Sequence, residues 1–412
     1  MVTMTAVYSN LRTRFPNWAD LKAFLTSQEG GSLRVVDPTP GQPFAVIRSV
    51  KGQDTSCPHA KDFRSVVWDT ERNLPVCVAP RKAEEGGPPT GIPLSVSECF
   101  DGCMVNAFVS GGVLHLATRT CIGADNTFYG GKTFAQMFDE ALGKSTWKTR
   151  EGVAATLGEG GFASFVVQHP AHRVVAKFSR PTLQLIHTGT VDSALGLVAI
   201  HYSVEGMVQK TYGAEKEVAD LMERMQTQMG WRWQGLCFVA EDGRRWRIRS
   251  HTYSMMRELR GGEAKDVDRF LRLRAEHKVS EYLKHFSDDR TIFWGLEQRL
   301  RAATRGILDA YADCHMAHAV AFKDLPAAVK PAVYMLHVKW LNTLREGGHR
   351  IRLEHAIEVV AALRLFEQRR LVEADAYVRC VAIQRAPTQP AAAAAEHTEE
   401  GAAAGAAAGA SV

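Results

Sequence analysis

Residues 97–102 read Ser-Glu-Cys-Phe-Asp-Gly, and residues 165–175 read Phe-Val-Val-Gln-His-Pro-Ala-His-Arg-Val-Val. Both stretches lie in a part of the chain that is built from short apolar runs. Further runs are Ala45-Val46-Ile47, Ser65-Val66-Val67-Trp68, Leu114-His115-Leu116, Ser164-Phe165-Val166-Val167 and Leu197-Val198-Ala199-Ile200. Glycine and proline separate these runs, so the pattern predicts β-strands joined by turns from Ala45 to Phe238.

Helical periodicity interrupts this strand-rich region at residues 132–142 and 215–229. The combination predicts an α+β domain with antiparallel sheets. From residue 266 onward the apolar residues recur with a helical period, as in residues 271–286, 293–317 and 356–376. We therefore predict an N-terminal segment at 1–60 that packs on the next domain, an α+β domain at 61–262, an all-helical domain at 266–386 and a disordered Ala/Gly tail at 387–412.

Composition narrows the class of protein. The chain has 412 residues, a net charge of +5 and eight cysteines without CxxC pairs or zinc-type spacing, so reduced thiols are expected. No apolar run approaches the roughly 18 residues of a membrane-spanning helix, and residues 1–24 match neither a signal peptide nor a transit peptide. We expect a soluble intracellular protein that is not secreted. Six arginines against one acid, Glu258, lie between Arg244 and Arg260, which favours partners that carry phosphate.

Three stretches resemble motifs of one enzyme class. Residues 97–102 resemble the first motif of covalent nucleotidyltransferases, Lys-x-Asp-Gly, whose lysine amine attacks the α-phosphate of ATP. Residues 116–119, Leu-Ala-Thr-Arg, resemble the Ser/Thr-Arg strand that follows it. Residues 165–175 resemble the third motif, around a Pro-x-Asn-Arg-Ile-Val core, and this is the longest match.

Other matches follow in the order and at the spacing that the motifs require. Residues 234–239 lie where the fourth motif, Glu-Gly-x-Val, would be, and residues 247–250 where the fifth, Lys-x-Lys, would be. Upstream, residues 63–69 resemble an Ala-Arg-Gly-Ile-Val-Phe strand, and Lys82 stands where a basic residue precedes the nucleophile. Together these stretches resemble the phage-type RNA ligase 1 family, nearest to its relatives in large DNA viruses.

The resemblance implies an antiparallel-sheet nucleotidyltransferase domain of the ATP-grasp-like ligase type, which would use ATP and Mg²⁺ if active. It places the nucleophile at Cys99, with Lys82 as a displaced substitute. It places nucleotide and phosphate contacts at Arg64, Glu98, Asp101, Gly102, Arg119, Gln168, Arg173, Gln234, Gly235, Arg247 and Arg249. It singles out no metal-binding residue. RNA or DNA ends are the expected partners, with a nucleotide as a further ligand and, for a viral protein, the host cytoplasm or a virus factory as the location.

Several family positions carry other residues here. Cys99 replaces the lysine, Val166 lies near the third-motif carboxylate, Gln234 replaces the fourth-motif glutamate, and Arg247 and Arg249 replace both fifth-motif lysines. Ligation begins with a primary amine, and arginine supplies no unprotonated nitrogen. A thiolate would instead form a phosphorothiolate, and the lost carboxylate weakens magnesium binding. Because arginine still suits phosphate oxygens, phosphate binding is predicted to outlast the chemistry.

The basic segment after residue 243 has its own pattern. If residues 245–249 form a strand, Arg245, Arg247 and Arg249 project from one face, while Trp246 and Ile248 project from the other. Three guanidinium groups would then line one wall of a cleft. The alternative is a solvated cationic edge strand.

Weaker patterns each have two interpretations. Gly130-Gly131-Lys132-Thr133 resembles the end of a P-loop, but Asn126 stands where the first glycine is needed, so a helix start is favoured. Glu205-Gly206-Met207-Val208 also imitates the fourth motif and ranks second, because it lies too far from the fifth. Two sets could hold a metal but are better explained by packing: Cys314, His315 and His318, and Cys99, Cys103 and Cys121. Three tryptophans could stack on bases or belong to the core: Trp231, Trp233 and Trp246.

Three functions are compatible with these residues. The first is a catalytically impaired ligase-like protein that binds a nucleotide or a nucleic-acid end in the former ATP cleft. The second is an active ATP-dependent RNA ligase or nucleotidyltransferase with Lys82 as its nucleophile. The third is a structural or interaction protein that retains only the fold. Losing the nucleophile together with the acidic groups favours the first, and the sequence leaves the oligomeric state open.

Overall fold

The computed structural model describes residues 2–50, 57–88, 94–202 and 215–379. The chain divides into two compact units, Met1–Leu296 and Glu297–Val412. Within the described ranges the first unit combines β-sheets with helices, and the second is helical. The predicted α+β class with antiparallel sheets is confirmed.

The strands of the first unit are β1 (Val2–Thr5), β2 (Arg34–Val36), β3 (Phe44–Arg48), β4 (Val66–Asp69), β5 (Leu74–Val78), β6 (Glu84–Glu85), β7 (Leu94–Glu98), β8 (Cys103–Ser110), β9 (Val113–Ala117), β10 (Gly161–Gln168), β11 (Thr182–Val191), β12 (Val198–His201), β13 (Gly235–Ala240) and β14 (Arg245–Arg249). They form a sheet of order β1-β12-β11-β10-β8-β9, a second of order β6-β14-β13-β7 and a third of order β2-β3-β4-β5. Neighbouring strands pair antiparallel, except that β6 runs parallel to β14.

The helices are α1 (Val7–Arg14), α2 (Trp18–Thr26), α3 (Phe134–Leu142), α4 (Arg150–Leu157), α5 (Glu215–Gln228), α6 (His251–Arg260), α7 (Asp266–Ala275), α8 (Val279–His285), α9 (Arg290–Tyr311), α10 (Lys330–Lys339), α11 (Leu353–Ala362) and α12 (Leu365–Glu373). A short 3₁₀ helix, Pro58–Asp62, precedes β4. Across the described ranges, none of these helices combines the length and apolar character that crossing a bilayer requires.

Residues 130–133 lead into a helix, as favoured over the P-loop. The Thr133 hydroxyl accepts from the Gln136 backbone N–H, and the Gln136 side chain accepts from the Thr133 N–H, which together form a capping box at the start of α3. The Lys132 Nζ lies 2.6 Å from Glu140 Oε1. Lys132 is thus held at the surface of α3 by an ion pair.

Three apolar clusters support the sheets of the first unit. The first packs Trp68 and Phe63 beneath α1 and α2, and Tyr8 of α1 donates a hydrogen bond to the Asp62 carbonyl at 2.9 Å. The second packs α3 and α4 on β8 and β10. The third contains Trp233 and Trp246, exposed by only 3% and 6%, so these two tryptophans belong to the core rather than to a stacking surface.

Two helices predicted as continuous are each divided in two. The segment 271–286 breaks because His277 adopts a left-handed conformation with φ of 57°, and the Lys278 N–H then bonds back to the Leu273 carbonyl. The segment 356–376 breaks where Leu363 is extended, and Glu367 accepts from the Arg364 N–H to start α12. Neither His277 nor Leu363 is a glycine or a proline, the residue types that indicate a helix break in a sequence.

The predicted domain limits remain predictions. The division between the compact units falls after Leu296, later than the predicted start of the helical domain at residue 266. The predicted tail at 387–412 and the second fourth-motif candidate at 205–208 lie outside the described residues. In the second unit, the buried Asp313 carboxylate accepts from the Tyr377 hydroxyl and from Arg379 Nε, both at 3.1 Å.

Candidate functional site

A cavity of about 900 Å³ in the first unit gathers the basic residues that the sequence singles out. Its lining is Ser49, Val50, Ala60, Lys61, Arg64, Arg81, Lys82, Ala83, Glu84, Glu85, Arg119, Arg244, Arg245, Arg247, Arg249 and Arg257. Ten of these side chains are cationic and two are acidic. We call it the cationic cavity. Such an excess of positive charge in a concave site favours an anionic ligand.

Strand β14 forms one wall of the cationic cavity, as the alternation of its residues predicts. Arg245, Arg247 and Arg249 line the cavity, whereas Trp246 and Ile248 pack in the third apolar cluster on the other face. The strand is not a solvated edge, because β13 pairs with it on one side and β6 on the other. Burial and the neighbouring charges of Arg247 and Arg257 lower the pKa of Arg249, so these cations repel one another.

Glu85, which the sequence analysis did not single out, balances part of this charge. Its Oε1 accepts hydrogen bonds from Arg247 Nε at 2.8 Å, from Arg247 Nη2 and from Arg249 Nη1 at 2.6 Å. Burial raises the pKa of Glu85. The hydrogen bond and charge of Arg247 and the charge of Arg249 lower it by more than burial raises it, so the pKa lies below its ordinary value. A carboxylate of the protein thus takes the contacts that a phosphate oxygen would take.

Three predicted residues, Arg64, Lys82 and Arg119, lie in the same cavity. Burial and the charges of Arg245 and Arg119 lower the pKa of Arg64 to about 10, which leaves it protonated at neutral pH. Neither Arg64 nor Lys82 donates a hydrogen bond to any residue within the described ranges, whereas Arg119 Nη2 donates to the Ser49 carbonyl at 2.6 Å. The side chains of Arg64 and Lys82 both face the cationic cavity without such a bond to the described residues.

Cys99, which the sequence resemblance assigns to the nucleophile position, is half-buried against a second cysteine. Its backbone N–H bonds to the Gly235 carbonyl at 2.8 Å, which sets its side chain beside that of Cys237 on β13. The hydrogen bond to Cys237 and burial raise the pKa of the Cys99 thiol well above its ordinary value. The same bond lowers the pKa of Cys237 to about 5, and Arg245, whose Nη2 lies 3.2 Å from Cys237 Sγ, helps to outweigh burial. The contact with Arg245 favours ionisation of Cys237 over that of Cys99.

Asp101 and Gly102 are held by the protein itself. The Asp101 carboxylate is 5% exposed and accepts from the backbone N–H groups of Val175 and Ala176, at 3.0 and 2.7 Å, and from the Tyr253 hydroxyl at 3.0 Å. A Cβ added at Gly102 would lie 2.5 Å from the Val167 carbonyl oxygen, so only glycine fits. In this structure, Asp101 positions the chain after β7 rather than facing a ligand.

Four other predicted residues flank the cavity or lie apart from it. Glu98 and Gln234 are half-buried at the ends of β7 and β13, and Gly235 has no room for a Cβ, which would meet the Ile248 carbonyl at 2.0 Å. The Gln168 side chain donates to the Asp101 carbonyl at 3.1 Å. None of these four lines the cationic cavity.

The Arg173 side chain contacts Phe286 and Asp288 of the protein itself. Its guanidinium lies 4.9 Å from the centre of the Phe286 ring, and its Nη1 lies 3.3 Å from Asp288 Oδ2. The structure places it outside the lining of the cationic cavity. Of the thirteen predicted site residues, the structure brings five together in this cavity: Arg64, Lys82, Arg119, Arg247 and Arg249.

A second cavity of about 650 Å³ adjoins the first. Its lining is Cys103, Phe128, Tyr129, Phe134, His172, Val174, Arg249, Ser254, Arg257, Glu258, Gly261 and Gly262. We call it the aromatic cavity. Arg249 and Arg257 line both cavities, so the two cavities meet at these side chains.

The site suits phosphate groups better than a protein-held magnesium ion. Arg249 Nε is buried and meets no hydrogen-bond partner in the described part of the chain. The acidic residues of the cavity lining are Glu84 and Glu85, and the Glu85 carboxylate already accepts hydrogen bonds from Arg247 and Arg249. Among the described residues, no group of three or more His, Cys, Asp or Glu lies close enough to hold a metal ion, including those around Cys314 and Cys103. The residues present therefore fit a polyphosphate but do not form a magnesium site.

Sequence reasoning missed Glu85, Cys237 and Arg257. Arg257 lay within the basic run from 244 to 260 and could have been included on its charge alone. Glu85 and Cys237 depend on which strands pair, and neither β6 with β14 nor β7 with β13 is a pairing of strands adjacent in the chain. A single sequence carries no signal for such pairings.

Comparisons with known proteins add distant likenesses. No protein-family model matches the chain, and no curated protein matches its sequence. Among solved structures, it is similar to an RNA ligase of Naegleria gruberi with PPi at 12% identity and a TM-score of 0.27, over 40% of this chain and 51% of that one. It is also similar to an archaeal ATP-dependent RNA ligase at 12% identity and a TM-score of 0.35, over 69% of this chain and 72% of that one. The third similar structure is a protein assigned as an ATP-dependent DNA ligase from Aquifex aeolicus, at 11% identity and a TM-score of 0.36, over 83% of this chain and 86% of that one.

These three solved structures are thus named as RNA or DNA ligases. The matched part spans about half of the Naegleria chain, at 51%. Identities of 11–12% and TM-scores of 0.27–0.36 assign the chain to no family.

Proposed function

We propose that this protein binds the terminal phosphates of a nucleotide or of a nucleic-acid end in the cationic cavity, without forming a covalent nucleotide intermediate. The observation that carries the proposal is the lining of that cavity, with ten cationic side chains against two acidic ones. Arginines present paired N–H donors that match phosphate oxygens. The RNA ligase resemblance of the sequence makes an RNA end the first ligand to test.

Repulsion among the arginines favours an anion in the cavity. Arg64 is half-buried beside Arg245 and Arg119, and both its desolvation and these two charges lower its pKa, so its charge is unfavourable without a counter-ion. A phosphate group near Arg64 and Arg249 would relieve this repulsion and supply an acceptor for Arg249 Nε. Because the free protein is held in an unfavourable charge state, ligand binding gains from removing that cost.

Covalent chemistry at Cys99 does not fit the site. The raised pKa of Cys99 keeps its thiol protonated at neutral pH, and Cys237, whose pKa is lowered instead, is only 4% exposed and bonded to Arg245. A thiol must ionise before it attacks phosphorus. The Gln234 amide carries no charge to hold a metal in place of a glutamate. These features support a protein that binds phosphate without transferring it.

A second candidate function is an active nucleotidyltransferase with Lys82 as its nucleophile. Lys82 is exposed in the lining of the cationic cavity and makes no hydrogen bond to the described residues. Its amine, once deprotonated, would attack the α-phosphate of ATP and expel pyrophosphate, giving a phosphoramidate. This candidate predicts a covalent adduct, which the first does not.

Binding of two RNA oligonucleotides of the same sequence, one with a 5′-phosphate and one with a 5′-hydroxyl, tests the proposed function. We expect the phosphorylated RNA to bind more tightly in fluorescence anisotropy. The double variant Arg247→Ala/Arg249→Ala should lose about 3–6 kcal/mol of this binding, the scale of two charge-assisted hydrogen bonds. Lys144→Ala is the matched control, because Lys144 is exposed and lies outside both cavity linings. Equal affinity for the two RNAs would contradict the proposal.

Intact-protein mass spectrometry separates the candidates. After incubation with ATP or GTP and magnesium or manganese, we expect no mass increase of one nucleotide. An adduct that disappears in Lys82→Ala would establish the second candidate instead. Failure to bind any nucleotide, RNA or DNA would leave the third, a structural or interaction protein.

A further inference from the structure

The aromatic cavity offers flat apolar walls beside charged groups. Phe128, Tyr129, Phe134 and His172 supply four rings to its lining of about 650 Å³. Around His172, the ring centres of Tyr129, Phe134 and Phe128 lie at 5.0, 5.5 and 6.1 Å. These contacts fix the rings as one cluster, so a planar ligand would meet an ordered surface.

The ring cluster is uncharged and partly open. Burial lowers the pKa of His172 to about 4, so its imidazole is neutral at physiological pH and adds no cationic repulsion to that of the arginines. Phe128 is 46% exposed, although its ring packs edge-on against Tyr129 at 4.8 Å. Part of the Phe128 ring is therefore open to a planar ligand, and aromatic rings of this kind can stack on a nucleobase.

Arg249 and Arg257 join this cluster to the cationic cavity. Both side chains line both cavities, so a single ligand can hold its phosphates on the cationic side and extend its uncharged part past the two arginines. Glu258 lies in the aromatic lining and supplies an acceptor for an amino or hydroxyl group. The required ligand is therefore anionic at one end, and planar with hydrogen-bond donors at the other.

We infer that the aromatic cavity is a base-binding subsite, which holds a nucleobase of the ligand whose phosphates occupy the cationic cavity. The inference rests on the proposed function and narrows it, because it makes the ligand a nucleotide or a nucleotide end rather than a bare polyphosphate. Stacking on Phe128 contributes most of the affinity for the base. The ring surface accepts any base, so preference among the four bases is weak.

Binding of inorganic tripolyphosphate and of ATP to the full chain tests the inference by calorimetry. ATP should bind more tightly than tripolyphosphate. Phe128→Ala should weaken ATP binding about tenfold, the effect of losing one aromatic stacking partner. The same variant should leave tripolyphosphate binding unchanged. Phe322→Ala is the matched control, since Phe322 is 39% exposed and lies outside both cavity linings.

The outcomes distinguish this inference from the proposed function. If tripolyphosphate and ATP bind equally well, or if Phe128→Ala weakens both or neither, the base subsite is wrong while phosphate binding stands. If neither ligand binds, and phosphorylated RNA does not bind either, both proposals fail. Thermal melting of Phe128→Ala checks that the variant folds, and Phe128→Tyr, which keeps the ring, should restore ATP binding.

Discussion

At the scale of single residues, Glu85 determines how the arginines of β14 meet a ligand. Its carboxylate bonds to Arg247 and Arg249, and its side chain is 55% exposed. An exposed ion pair contributes little to folding, because water screens it. Its effect should therefore be larger on ligand binding than on stability.

Replacing Glu85 by glutamine should strengthen phosphate binding. Glu85→Gln removes the negative charge that competes for Arg247 and Arg249, and we expect the affinity for tripolyphosphate to rise roughly two- to fivefold, the range of an exposed ion pair. Isothermal titration of both proteins measures this change. Glu84→Gln is the matched control, since Glu84 lines the same cavity on the same two-residue strand. A lower affinity in Glu85→Gln would show that the carboxylate instead organises the arginines for the ligand.

The ion pairs of Glu85 should also make the stability of the protein depend on pH. The pKa of Glu85 is lower in the folded protein than its ordinary value of 4.5, so its ion pairs stabilise the fold above that pH and lose this effect as pH falls through the folded value. The melting temperature of the wild type should exceed that of Glu85→Gln slightly at pH 7. The difference should shrink as the pH falls below 4.5 and Glu85 becomes protonated. A difference that grows on acidification would contradict this assignment.

The pair of Cys99 and Cys237 leads to a third prediction at this scale, on thiol ionisation. Because the pKa of Cys237 is lowered to about 5, thiolate absorbance in the ultraviolet should persist as pH falls from 7 to about 5. Cys237→Ser should abolish this part of the titration. Cys99→Ser should retain it, since serine still donates a hydrogen bond, whereas Cys99→Ala should shift it to higher pH. A titration that Cys237→Ser leaves unchanged would assign the thiolate elsewhere.

At the scale of elements, Asp101 joins three parts of the first unit. It follows β7, accepts from the backbone at Val175 and Ala176 after β10, and accepts from Tyr253 on α6. Strand β14 leads directly into α6, so this buried carboxylate helps to hold the arginine-bearing strand in place. A site residue predicted from a ligand-binding motif thus acts here through the fold.

Tyr253→Phe tests this role of Asp101. The tyrosine is fully buried at 0% exposure, and losing its hydrogen bond to a carboxylate should lower the free energy of unfolding by about 1.5–3 kcal/mol. Urea denaturation measures the change. Tyr334→Phe, at a tyrosine that is 62% exposed in the second unit, should have almost no effect. Equal stability of wild type and Tyr253→Phe would mean that the hydrogen bond contributes nothing net.

The elements also show how far the sequence could be interpreted. Alternation of charge and apolar character in residues 245–249 predicted a strand with its arginines on one face, and β14 confirms it. Glu85 could not be predicted, because its contact with Arg247 spans 162 residues and depends on a two-residue strand too short to have a pattern. The helix break at His277 depends on a left-handed conformation that histidine seldom signals.

At the scale of the whole molecule, charge is concentrated rather than high. The net charge is only +5, yet ten cationic side chains line one cavity. Binding dominated by such a site should depend strongly on salt, because counter-ions leave the phosphates when the arginines engage them. The salt dependence thus reports how many phosphates the cavity contacts.

Arg257 should contribute directly to that dependence. Replacing Arg257, which lines both cavities, with alanine should reduce the slope of log affinity against log salt by about 1 for phosphorylated RNA. Lys144→Ala should leave the slope unchanged. Anisotropy titrations at several potassium chloride concentrations measure both. An unchanged slope in Arg257→Ala would place the RNA backbone away from this side chain.

The hydrogen bonds between Glu85 and the two arginines also set a minimum negative charge that a ligand needs in order to bind. A monovalent anion offers the arginines no more charge than the carboxylate already does, and it lacks the advantage of being tethered to the same chain. A group with several negative charges can engage Arg247 and Arg249 while Glu85 swings aside. The cavity should thus discriminate by charge number before it discriminates by shape, ignoring chloride and carboxylates while retaining di- and triphosphates.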